Sequence, residues 1–103
     1  MRLGWGERWY LAEILRLKGW MLTLQDELEG AEENYFASLN VAREQQTKSW
    51  ELRTTTSLAR LWQHQGKLHE ARDILSEIYD WFTEGFETKD LQEAKRLLEE
   101  LSH

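Results

Sequence analysis

The feature that most constrains the fold is a pair of apolar segments on either side of Gly66. The side chains that share one helical face are Leu58, Ala59 and Trp62 before the glycine, and Leu68, Ala71, Leu75 and Ile78 after it. Small side chains at Ala59 and Ala71 allow two antiparallel backbones to approach closely, and Trp62 and Leu75 fill the space beside them. The pattern therefore predicts an αα-hairpin.

A less regular copy of this hairpin stands 40 residues earlier in the chain. Gly19 and Ala31 precede Ala59 and Ala71 by that distance. The correspondence continues with Leu22, Leu28 and Tyr35, which stand where the later copy has Trp62, Leu68 and Leu75. Because one hairpin cannot bury both of its faces, the two copies are expected to stack on each other.

At these positions the chain resembles the tetratricopeptide repeat family. That family has a small residue at its eighth position, a large ring at the eleventh, alanine at the twentieth and an aromatic residue at the twenty-fourth. The matching residues are Gly19, Leu22, Ala31 and Tyr35 in the first copy, and Ala59, Trp62, Ala71 and Leu75 in the second. The chain departs from the family in its longer period, about 40 rather than 34 residues, in lacking the closing proline, and in Thr55, where Trp or Leu is typical. The resemblance implies a short all-α solenoid that binds other proteins.

A second resemblance covers roughly residues 7–101. It is carried by the sequences SWELR at 49–53, SLARLW at 57–62 and YDWFTEGFETKDLQEAK at 79–95. These are similar to the C-terminal repeat arrays of multidomain bacterial signalling proteins, which also carry a nucleotide cyclase or another effector domain and an ATPase module. The resemblance implies a role in bacterial signalling or regulation, in the tail of such an array and without the cyclase or the ATPase.

We expect a single all-α domain over residues 1–103. Its parts are a first hairpin at about 7–45, a second hairpin at about 49–82 and a capping helix at about 89–101. Asp26 with Glu29 has the spacing of a capping box and is expected to begin the second helix. The charged outer face of the last helix, formed by Lys95, Arg96, Glu99 and Glu100, suits the end of a solenoid.

Composition limits the classes of function. The chain has no proline, 31% charged residues and a formal net charge of −6, which opposes attraction to nucleic acid or to an anionic membrane. No apolar run approaches the roughly 20 residues that cross a bilayer. The absence of cysteine excludes disulfides and fits a reducing compartment. We therefore expect a cytoplasmic protein with neither a nucleic-acid nor a membrane partner.

The sequence contains no recognisable catalytic or metal-binding pattern. His64 and His69 are five residues apart across a turn, and no HExxH motif is present. The carboxylates at Glu27, Glu29, Glu32 and Glu33 are typical of a helix start. We expect no enzymatic activity, catalytic residue, metal or cofactor; the alternative, a small helical enzyme, requires a deep polar pocket that the spacing does not predict.

The resemblance also implies a binding groove, because the first helix of each tetratricopeptide pair lines the concave face. Counted from the matched positions, the groove residues are Glu13, Arg16, Trp20, Arg53, Thr56, Arg60 and Gln63. Arginines and a tryptophan on one face suit an extended protein or peptide partner with acidic or aromatic side chains. The alternative is that Arg16 pairs with Glu13 and the other arginines are only solvated. The family's clamp for terminal carboxylates has asparagines at two of these places, so the partner stays unnamed.

A second candidate surface lies on the first helix. Trp9, Tyr10, Leu17 and Met21 form an apolar face that a preceding repeat would cover in a longer array. Such a face favours association with a partner, and a homodimer formed through it is one hypothesis. Another is that the chain is purely a structural end-cap of a longer array.

Overall fold

The computed structural model describes residues 9–102, with Trp9 described in its backbone only. These residues form five α-helices and no strand. The helices are α1 (Trp9–Leu24), α2 (Leu28–Glu44), α3 (Lys48–His64), α4 (Leu68–Tyr79) and α5 (Lys89–Leu101). The all-α prediction is confirmed for this part of the chain. No described helix is both long enough and apolar enough to cross a bilayer.

The helices form two layers. In one layer α3 lies between α1 and α5 and contacts both. In the other, α2 packs against α1 and α3, and α4 packs against α3 and α5. The molecule is 18 Å thick in its shortest dimension, which corresponds to two helices at the usual interaxial distance of about 8–10 Å. Each layer therefore presents one broad face to its surroundings.

The first three connections share one backbone conformation. They are residues 25–27, 45–47 and 65–67. The middle residue of each is left-handed, with φ of 64° at Asp26, 55° at Gln46 and 82° at Gly66. The next residue donates its N–H to the carbonyl five residues earlier: Glu27 to Leu22 (2.8 Å), Thr47 to Ala42 (3.0 Å) and Lys67 to Trp62 (2.8 Å). These bonds are those of a Schellman turn, which reverses the chain after each helix.

The expected capping box at Asp26 is wrong. The residue that precedes α2 is Glu27, and its side chain makes no capping hydrogen bond. Asp26 instead occupies the left-handed position of the turn, where a short polar side chain is tolerated better than most. In the second hairpin, expected over about 49–82, the last helix is α4, which ends at Tyr79.

The small residues of the sequence pattern lie where helices approach most closely. Gly19, Ala31, Ala59 and Ala71 are all buried. Two groups of buried side chains surround them. One, between α3, α4 and α5, contains Leu52, Ala59, Ala71, Leu75, Ile78, Leu91, Ala94, Leu97 and Leu101. The other, between α2 and α3, contains Ala31, Tyr35, Leu39, Leu58 and Leu61. Trp62 packs against both groups and joins them.

A buried chain of hydroxyl groups connects the first three helices. The Ser38 hydroxyl of α2 donates to the carbonyl of Ala12 in α1 at 2.6 Å. Its oxygen also lies 2.8 Å from the Thr54 hydroxyl of α3. Ser38 and Thr54 have no exposed surface, so these bonds satisfy polar groups that water cannot reach.

Candidate functional site

Three arginines from two helices meet at one cavity of about 270 Å³ on the face of the α1, α3 and α5 layer. Arg16 comes from α1, and Arg53 and Arg60 come from α3, where a spacing of seven places both side chains on one helical face. The other lining residues are Thr56, Ser57, Lys89, Asp90 and Glu93, the last three from α5. We call this space the arginine cavity. Four cationic and two anionic side chains line it.

Arg16 is held by Glu13, one helical turn away. Its Nε donates to Glu13 Oε1 at 3.0 Å and its Nη2 to Glu13 Oε2 at 2.7 Å, so the pair is bidentate. Arg16 Nη1 also donates to Ser57 Oγ at 3.4 Å, which ties α1 to α3. This guanidinium is therefore fixed in the cavity wall.

The α3 arginines contact carboxylates of α5. Arg53 Nη2 donates to Asp90 Oδ2 at 3.1 Å, its Nη1 lies 3.8 Å from Glu13 Oε1, and its guanidinium lies 4.5 Å from the centre of the Trp50 ring. Arg60 has a looser partner, since its Nη2 lies 3.7 Å from Glu93 Oε2 and its side chain is 43% exposed. Arg60 is thus freer to turn toward a ligand than Arg16.

The Glu13–Arg16 pair shifts the pKa of both groups. The hydrogen bonds from Arg16 lower the pKa of the Glu13 carboxyl; burial opposes this effect, and the charges of Arg16 and Arg53 add to it. The hydrogen bonds to Glu13 raise the pKa of Arg16, again against the effect of burial. Both groups are therefore charged at neutral pH.

We expect replacement of Glu13 by glutamine to remove a pH-dependent part of the folding free energy. Because the folded pKa of Glu13 is below its ordinary value of 4.5, its contribution is present above that value and is lost as pH falls through the folded pKa. The difference in urea midpoint between wild type and Glu13→Gln should thus be larger at pH 6 than at pH 3. A difference that does not change with pH would contradict the assignment.

An apolar cavity of about 430 Å³ adjoins the arginine cavity, and Ser57 and Arg60 line both. Its apolar lining residues are Trp20, Leu24, Leu28, Tyr35 and Leu61. Trp20 is half exposed at this site. We call the two cavities together the α1–α3 groove, which is basic at one end and apolar at the other.

The structure places the seven predicted groove residues as follows. The arginine cavity is lined by Arg16, Arg53, Thr56 and Arg60, and the apolar cavity by Trp20. Glu13 is bonded to Arg16 and lies close to Arg53. The Gln63 side chain donates a hydrogen bond to Glu100 of α5 at 3.0 Å. The ion pair between Arg16 and Glu13, which belongs to the alternative interpretation, is present. The prediction did not include Ser57 or the three α5 residues of the cavity. The α5 residues have no counterpart in the two-copy pattern, so nothing in the sequence marked them.

The predicted self-association face is exposed where it is described. Tyr10, Leu17 and Met21 lie on the surface of α1, whereas the side chain of Trp9 is outside the described residues. Of the histidines, His64 lines the apolar cavity and His69 lies 3.2 Å from Asp73 on the surface of α4. Within residues 9–102, no group of three or more histidine or carboxylate side chains is arranged to hold a metal.

Comparison of the chain with protein-family models, with curated proteins and with solved structures gives no match.

Proposed function

We propose that this chain is a tetratricopeptide-like interaction module whose α1–α3 groove binds an extended segment of another protein. The ligand in this proposal has an acidic side chain next to a large apolar one. The observation that carries the proposal is the direct contact between a cavity with three arginines and a cavity with an exposed tryptophan. The two-layer packing and the burial of the four small pattern residues support the tetratricopeptide-like interpretation.

The basic end of the groove suits a carboxylate. An arginine fork binds a carboxylate through two parallel hydrogen bonds, which gives both affinity and direction. Arg60 is partly exposed and has one long contact, with Glu93. A ligand carboxylate can therefore replace Glu93 as its partner without breaking a short hydrogen bond. Arg16 and Arg53 keep their intramolecular partners and add positive potential behind it.

The apolar end suits a leucine or an aromatic side chain. Trp20 and Leu24 present apolar surface to solvent beside Leu61, which is buried. Covering the half-exposed indole removes apolar area from water, and buried tryptophan and arginine are the residue types that most often dominate binding energy. A peptide that fills only one end is therefore expected to bind weakly.

The proposed role in bacterial signalling or regulation rests on the sequence resemblance. The proposed cytoplasmic location rests on composition, and the proposed lack of enzymatic activity rests on the sequence having no recognisable catalytic pattern. A partner that is an acidic protein or peptide agrees with the charge of the groove, although the net charge of −6 on the whole chain opposes its approach at long range.

The experiment is selection from a random peptide library displayed on phage, followed by binding measurements with two charge-reversal variants. Selected peptides should contain Asp or Glu within a few positions of Trp, Phe or Leu. Arg60→Glu should weaken their binding about 10- to 100-fold, as expected for loss of a charge-assisted pair. Arg72→Glu, at an exposed position of α4 outside the groove, makes the same change of net charge and should have little effect.

Two outcomes would contradict the proposal that the α1–α3 groove binds peptide. One is that selection enriches no motif. The other is that both variants reduce binding equally, which would indicate a response to overall charge and not to the groove.

A second candidate function is a structural end-cap of a longer helical array. The observation that favours it is the difference between the two ends of the molecule: the outer side of α5 exposes Lys95, Arg96, Glu99 and Glu100, whereas α1 exposes apolar side chains. An end-cap needs a polar outer end and an apolar inner end. In that case the groove would select no peptide, which separates the two candidates.

A further inference from the structure

A continuous apolar stripe runs along the outer side of α1. Its five residues are Tyr10, Ile14, Leu17, Met21 and Leu24, which are 53%, 53%, 42%, 53% and 66% exposed. They are spaced alternately by four and three residues, which is the spacing of the seam between two helices of a coiled coil. We call this surface the α1 stripe. The stripe includes Ile14 and Leu24, which were not among the residues predicted for the self-association face.

The opposite side of α1 is already buried. Ala12 and Gly19 lie in the interface with the neighbouring helices, so the stripe faces away from the protein core. A helix that is apolar on both sides is normally covered on both sides. The charged residues of Trp9–Leu24 are Glu13, Arg16 and Lys18, and none of them lies within the stripe.

The exposed apolar area is large for a protein of this size. Five side chains that are each about half exposed present on the order of 500 Å², near the upper end for the largest patch on a monomer. If two copies of this surface meet, they bury on the order of 1,000 Å² in total, which is about the minimum for a specific interface. The stripe alone is thus large enough to hold two chains together.

We propose that the α1 stripe is covered by the α1 stripe of a second copy of this chain. The opposite end of the molecule cannot serve as its partner, because α5 exposes charged side chains that would lose water against an apolar surface. A head-to-tail contact is therefore unfavourable. A contact between identical stripes buries apolar side chains on both partners and closes as a two-fold dimer.

The dimer does not depend on the proposed peptide site. Around the helix, Trp20 lies roughly a quarter turn and Arg16 roughly a third of a turn from the centre of the stripe. Leu24, at the end of the stripe, also lines the apolar cavity, so the two sites share this one residue, whereas no residue of the stripe lines the arginine cavity. The dimer therefore leaves the arginine cavity open and brings two copies of the groove to the same side or to opposite sides, according to the direction of the paired helices.

The test is solution mass by multi-angle light scattering from micromolar to millimolar protein. Wild type should have about twice the chain mass of 12.4 kDa. Leu17→Glu, at the centre of the stripe, should raise the dissociation constant about 100-fold or more, because symmetry places two carboxylates in an apolar contact. Leu68→Glu is the matched control, since Leu68 has the same exposure of 42% on α4, and it should leave the dimer intact.

Cysteine cross-linking then identifies the contact. The natural chain has no cysteine, so a single introduced one reports a single position. Leu17→Cys should form an intermolecular disulfide in either helix direction. If the helices are parallel, the Tyr10→Cys protein and the Leu24→Cys protein should each form a disulfide-linked dimer. If they are antiparallel, a disulfide should form only between the two variants when they are mixed.

Two results would overturn the proposal. A monomer at every concentration would show that a second copy of the chain does not cover the stripe. A dimer that resists Leu17→Glu and forms no Leu17→Cys cross-link would place the contact on another surface. Peptide selection by the groove can succeed or fail in either case, so the two proposals are tested separately.

Discussion

Replacing Gly19 with leucine is expected to lower the free energy of unfolding by about 3 kcal/mol, through overpacking between α1 and α2. A Cβ atom at Gly19 would lie 2.8 Å from two ring carbons of Tyr35 and 3.1 Å from the carbonyl oxygen of Ala31. Tyr35 is 2% exposed, and the space beside it is the apolar cavity that it lines. Relief therefore requires α1 to move away from α2, or the Tyr35 ring to leave its packed position and enter that cavity.

The matched control is Gly30→Ala in α2. There the nearest atom to a new Cβ is the flexible end of Leu22 at 3.4 Å, so the substitution fits with a small adjustment. Since alanine is the better helix former, we expect a gain of up to about 1 kcal/mol. A change of 1 kcal/mol shifts the melting temperature of a domain of this length by about 4–8 °C. Gly19→Leu should therefore melt below wild type and Gly30→Ala above it. A Gly19→Leu protein that melts within a few degrees of wild type would show that the α1–α2 interface is not closely packed.

Much of the helical architecture follows from the sequence because the chain has no proline and its apolar residues recur at helical spacing. Gly19, Ala31, Ala59 and Ala71 were predicted at close helix contacts, and all four are buried. Small side chains carry a strong signal here, since large ones would keep the backbones apart. The tetratricopeptide family itself stays a prediction.

The turns show what residue type alone does not determine. Gly66 is an obvious position for a left-handed residue, but Asp26 and Gln46 take the same conformation. Left-handed φ disfavours most side chains by about 1–2 kcal/mol, and the hydrogen bonds of the Schellman turn offset that cost. Those bonds depend on where the preceding helix ends, which is set by tertiary packing.

The arginine cavity likewise depends on contacts between helices, which spacing along one helix does not predict. Spacing along α3 was enough to place Arg53 and Arg60 on one face. Their partners Asp90 and Glu93 come from α5, whose position against α3 depends on the path of residues 80–88. The buried contact of Ser38 with Thr54 is likewise a contact between helices, and polar residues in a helix are ordinarily expected on the surface.

Replacing Leu75 with alanine is expected to lower the free energy of unfolding by about 2–5 kcal/mol, since a fully buried leucine leaves a cavity that a helical core closes only in part. Leu75 has no exposed surface and lies in the group of side chains that joins α3, α4 and α5. Its own helix supplies the control: Leu68→Ala makes the same chemical change two turns earlier, at a side chain that is 42% exposed. Urea unfolding followed by circular dichroism should show a large shift for Leu75→Ala and a shift below about 1 kcal/mol for Leu68→Ala.

Comparison of Leu75→Ala with Gly19→Leu also tests whether the chain unfolds as one unit. The two positions lie in different groups of helices, and Trp62 is the large side chain that packs against both buried groups. If this contact couples the two buried groups, Leu75→Ala should accelerate amide hydrogen exchange in α1 and α2 as much as in α4 and α5. Faster exchange confined to α4 and α5 would mean that each helix pair opens separately, as in arrays where stability is a sum of neighbouring contacts. Because α3 contributes side chains to both groups, we expect the coupled result.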